Sequence, residues 1–81
     1  MSTTKQDIMR WLQSAPKNAT HMMVVCDTFD WEDYPVYVKE NENVQDQYKN
    51  YHGPNMQKVM EVYNLKQDFD KQLSEHRAFN F

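Results

Sequence analysis

Five consecutive apolar residues, Met22, Met23, Val24, Val25 and Cys26, constrain this chain more than any other feature. Side chains alternate between the two faces of a strand, so a run that is apolar at every position has to be buried on both sides. Residues 21–27 are therefore expected as a central strand. Residues 35–40 read as its return partner, with Val36 and Val38 on one face, Tyr37 and Lys39 on the other, and Pro35 at the start. That alternation predicts a half-exposed edge strand, the position where a proline is tolerated. Together the two runs predict a hairpin over residues 20–40. Its tip is chemically unusual: residues 27–34 hold four acids (Asp27, Asp30, Glu32, Asp33) and three aromatics (Phe29, Trp31, Tyr34).

The remaining chain supplies helices and a further strand. Ile8, Trp11, Leu12 and Ala15 recur at helical spacing, Thr3 and Gln6 stand at the spacing of a capping box, and Pro16 ends the element. Asn43 is a capping residue for a short helix carrying Val44, Tyr48 and Tyr51, closed by Gly53 and Pro54. Residues 56–65 fit both a helix and a strand. The strand is preferred, because a two-stranded hairpin is marginal in water and a third strand supports it. In that strand Glu61 is expected to face outward. A last helix is predicted over residues 68–78, with Phe69, Leu73 and His76 on one stripe, before the aromatic residues Phe79 and Phe81. The expected fold is α+β, one small domain over residues 1–81, in the order α-β-β-α-β-α. Its three-stranded, mainly antiparallel sheet carries helices packed on one face. The rival is a lone hairpin within a helical cluster.

Composition narrows the function. A single glycine, Gly53, does not suffice for a phosphate-cradling loop. One cysteine forms no internal disulfide, no Cys and His pair has zinc-finger spacing, and no apolar run approaches the ~18–20 residues of a membrane span. The amino terminus also lacks the layout of a signal peptide. A cytoplasmic protein with no cofactor follows as the expectation.

The possible chemistries fall in turn. Asp27, Asp30 and Asp33 offer hard-cation ligands or an acid–base pair, but their spacing matches no calcium loop, and turn acids ordinarily cap their own backbone. Cys26 and His21 are five residues apart and point to opposite faces of a strand, which leaves Cys26 as a buried apolar residue. No enzyme and no metal site is expected. Lysines and arginines are scattered among acids, so direct nucleic-acid binding is not expected either.

Protein recognition remains. Residues 1–26 carry a charge of +2, residues 27–46 carry −6 and residues 47–81 carry +1, so the net charge of −3 is concentrated around the hairpin tip. Trp and Tyr are enriched at binding hot spots, and acids around them steer a basic partner. Asp30, Trp31, Glu32, Asp33, Tyr34 and Tyr37 are the expected partner-binding residues, with the aromatic end at Phe79 and Phe81 as a second candidate.

The run Ala19-Thr20-His21-Met22-Met23-Val24-Val25-Cys26-Asp27-Thr28-Phe29-Asp30-Trp31-Glu32-Asp33-Tyr34-Pro35-Val36-Tyr37-Val38 resembles a signature of small uncharacterised proteins of bacteriophages and bacteria. Residues 56–65 and 72–79 are similar too. The resemblance brings no activity and no functional residues. What it implies is an accessory protein that binds host or phage machinery stoichiometrically. The expected function is thus a non-enzymatic protein-interaction module that modulates a host or phage complex through its hairpin tip. Alternatives are an acidic nucleic-acid mimic, a small metal-binding protein or metal-dependent hydrolase using Asp27, Asp30 and Asp33, and a homodimer paired through the edge strand.

Overall fold

The computed structural model describes residues 3–53, 56–75 and 77–81. The chain runs α1 (Lys5–Gln13), β1 (Ala19–Asp27), β2 (Glu32–Lys39), α2 (Val44–Tyr51), β3 (Gln57–Asn64) and α3 (Phe69–Leu73), an α+β fold in the expected order. The strands form one antiparallel sheet in the order β2-β1-β3. The central place falls to β1, the strand whose run from Met22 to Cys26 is buried throughout.

The helices divide between the two faces, where a single covered face was expected. On one face α1 and α3 close over Met22, Val24 and Tyr63, with Ile8, Leu12 and Leu73 buried against them. Val44, Tyr48 and Tyr51 of α2 cover Met23, Val25, Val38, Val59 and Val62 on the other. The two-sided apolar pattern of β1 is the physical reason: uncovered, each buried valine or methionine would forgo about 1.5–3 kcal/mol of burial.

Capping fixes where the helices begin. At α1 the box sits one residue later than expected. Thr4 N–H donates to Asp7 Oδ2 (3.1 Å) and Asp7 N–H donates to Thr4 Oγ1 (3.2 Å). The Thr4 N–H, followed by the Thr4 hydroxyl, holds the Asp7 carboxyl below its usual range. Ala15 lies beyond the helix. Asn43 Oδ1 accepts from Gln45 and Asp46 N–H at the start of α2, as expected. Gly53 has φ +105°, a backbone for which glycine is suited; Pro54 lies outside the described residues.

The last third departs most from expectation. Helix α3 stops at Leu73, well short of residue 78, and His76 lies outside the described residues. Residues 78–80 instead run parallel to the outer edge of β3. Val62 N–H donates to Ala78 O (2.8 Å) and Asn80 N–H donates to Val62 O (2.9 Å). A continued helix would leave that sheet edge open. Glu61 is half-buried rather than outward. Pairing with β1 jumps from Val24↔Glu61 to Val25↔Val59, so Met60 is an extra residue, a bulge that turns Glu61 to the face of Val24. There Glu61 accepts from Tyr63 Oη–H (2.9 Å) and Ala78 N–H (3.2 Å). Burial, and then the Glu61 carboxylate, push the Tyr63 hydroxyl far above its ordinary range.

Candidate functional site

The hairpin tip is built by its own acids. Four residues, Thr28 to Trp31, join β1 to β2, and Trp31 N–H donates to Asp27 O (2.7 Å). Asp27 Oδ1 accepts from Phe29 N–H (2.8 Å) and Asp30 Oδ1 accepts from Glu32 N–H (3.1 Å), two turns in which a carboxylate replaces a backbone acceptor. Asp27 and Asp30 thus help to fold the loop. Asp33 lies opposite Cys26 in the register, on the face of the sheet opposite to that of Asp27. Among the described residues, no three His, Cys, Asp or Glu side chains are grouped to hold a metal ion.

A second segment completes the tip. Thr28 N–H and Thr28 Oγ1–H both donate to Met56 O, at 2.7 and 2.8 Å, drawing the residue before β3 alongside the turn. Trp31 (φ 60°) and Met56 (φ 59°) both adopt left-handed backbone without being glycine. Such a conformation costs an ordinary residue about 1–2 kcal/mol. Their side chains recover little by burial: Phe29 is 78 % exposed, Trp31 62 % and Met56 55 %. Three large apolar side chains therefore stand in solvent at one end of the sheet, beside the exposed carboxylates of Asp30 and Glu32.

The six expected contact residues separate into two groups. Asp30, Trp31 and Glu32 are exposed at the tip, and Asp33 is half-buried just behind it. Tyr34 and Tyr37 are half-buried and lie on opposite faces of the sheet. Tyr34 packs on the α2 side, where its hydroxyl accepts from Gln57 Nε2–H. Tyr37 packs on the α1 side and donates through its hydroxyl to Trp11 O (2.7 Å), satisfying a carbonyl in the last turn of α1. Burial pushes both hydroxyls up. Sequence reasoning missed Met56. The pairing of Gln57 with Asp27 and the contact of Met56 with Thr28, 28 residues away, bring it to the tip, and no local pattern encodes that.

Other reactive groups are enclosed. Cys26 is buried, and desolvation, followed by the neighbouring Asp33 carboxylate, pushes its thiol up. His21 is on the opposite face. Thr20 Oγ1 lies 2.9 Å from its Nδ1, and burial, followed by the Lys66 charge, lowers its pKa. A cleft of about 250 Å³ opens between α1 and the sheet, lined by Lys5, Ile8, Asp33, Glu61, Glu75 and Arg77. Glu61, one of its acids, is already bonded to Tyr63 and Ala78.

The second candidate contact packs on one side and is exposed on the other. Phe81 meets Tyr48 edge-on with ring centroids 5.4 Å apart, Tyr48 stacks on His52, and both Phe79 and Phe81 remain partly exposed. No protein-family model, curated protein or solved structure matches the chain. No helix of the described residues is long and apolar enough to cross a membrane.

Proposed function

We propose that the protein is a non-catalytic interaction module, an accessory protein of phage origin that binds a host or phage complex and modulates it by occupying a surface. The contact is the hairpin tip: Phe29, Trp31 and Met56 as apolar anchors, with Asp30, Glu32 and Asp33 facing a basic partner. One observation carries this reading, the exposure of three large apolar side chains on the turn and the segment beside it, with left-handed backbone at two of the three. Strain of this kind persists where surrounding structure enforces it and is concentrated at functional sites. Exposed aromatics next to acids supply both halves of a hot spot, burial on docking and electrostatic steering before it.

Affinity capture from extracts of the cells that make the protein tests the reading. The wild type is compared with a variant carrying Trp31→Ala, Asp30→Asn and Asp33→Asn, its fold checked by circular dichroism. The variant is expected to lose the specific partner, and raising salt is expected to weaken capture by the wild type. Equal partner recovery by a folded variant contradicts the proposal.

A further inference from the structure

In an antiparallel sheet the N–H and C=O of one residue point to the same neighbouring strand, and successive residues alternate. Val62 sends both groups outward to residues 78–80. Its partner Met23 therefore points away from β3, toward Val36 of β2. By alternation Tyr34, Val36 and Val38 bond to β1, while Asp33, Pro35 and Tyr37 turn their main-chain groups to the outer edge. Pro35 fits this parity, since the ring nitrogen it places outward has no hydrogen to donate. Lys39 is already closed off: its N–H donates to Glu42 Oε1 and its C=O accepts from Glu42 N–H, both at 2.9 Å. Among the described residues, nothing bonds to the outward groups of Asp33, Pro35 and Tyr37. The edge of β3 is covered at Gln57 and Val59 by Gly53 and His52, at Val62 by residues 78–80 and at Asn64 by Gln72, and among the described residues the edge of β2 is open from the tip to Lys39.

Charge selects what can pair there. A second copy would bring two segments of −6 together, and centring the pair on Pro35 would lose the bonds at its middle. We infer that β2 accepts an extended basic segment of the partner as a fourth strand, bonded to the main chain of Asp33 and Tyr37 and attracted by Asp30, Glu32 and Asp33. Main-chain pairing gives such a contact its affinity, and the flanking acids give it a preference for lysine and arginine. The inference rests on the tip as the contact surface, because the open edge begins where the tip ends.

A capped Lys-Val-Lys-Val-Lys peptide is the probe, added at millimolar concentration to isotopically labelled protein while amide hydrogen exchange is followed by NMR. Exchange at Asp33 and Tyr37 is expected to slow about tenfold or more, with Tyr34, Val36 and Val38 unchanged because they are already bonded. Asp33→Pro removes one outward N–H without touching the ladder to β1, and is expected to weaken the peptide about tenfold more than Asp33→Asn, which loses the same charge but keeps the N–H. If that variant fails to fold, exchange in the wild type still decides. Slowing confined to residues 29–31 overturns the strand pairing and leaves the tip reading standing. Equal slowing by Glu-Val-Glu-Val-Glu, or the same slowing without peptide through self-association, overturns the choice of a basic partner strand. Loss of partner capture on Trp31→Ala tests the tip separately.

Discussion

Trp31 occupies a position that stability alone would assign to glycine. Its φ of 60° is unfavourable for any side chain with a Cβ, and its ring gains little from burial. Trp31→Gly is therefore expected to raise the unfolding free energy by up to about 1 kcal/mol in urea denaturation, after allowing for the entropy glycine gains when unfolded. The same variant is expected to lose partner capture. A clear loss of stability would mean that the indole packs in a way its exposure does not show. The identity of Trp31 was legible in the sequence, but its backbone was not, because the left-handed turn depends on a register that pairs Asp27 with Glu32. Tyr34 and Tyr37 show a related limit. Alternation assigns them to opposite faces, and only the packing of α2 and α1 on those faces draws both inward.

Among the elements, the end of β3 depends on one side chain from α3. Gln72 is buried, accepts from Asn64 N–H (2.8 Å) and Asn80 Nδ2–H (3.1 Å), and donates through Nε2 to Asn64 O (2.9 Å) and Asp68 O (3.2 Å). It joins strand, helix start and carboxyl-terminal segment in one network. Gln72→Ala leaves both main-chain groups of Asn64 without these partners and is expected to destabilise by about 2–4 kcal/mol in urea unfolding. A loss under about 0.5 kcal/mol would contradict that role. Elements with a complete local signal were legible: β1 from its unbroken apolar run and α2 from Asn43, whereas the local pattern at β3 fits a helix as well and the strand followed from the support a hairpin needs. Elements shaped by distant partners were not. The early end of α3 reflects the unpaired edge at Val62, and the turn of Glu61 reflects a bulge at Met60 that periodicity does not encode.

At the scale of the whole molecule, closed and open surfaces are separated in space. Among the described residues, the two faces of the sheet are closed by helices and the β3 edge by His52, Gly53, Gln72 and residues 78–80, while the tip and the β2 edge stay open within the segment that carries −6. Under the proposed function, this arrangement gives one end of the protein to recognition and the rest to holding it in place. A photocrosslinking residue installed at Phe29, compared with one at Lys17 near the opposite end of β1, tests that division most directly. The account predicts a discrete adduct with one partner from position 29, competed by unmodified wild type, and none from position 17. Equal crosslinking from both positions, or an adduct from position 17 alone, would contradict it.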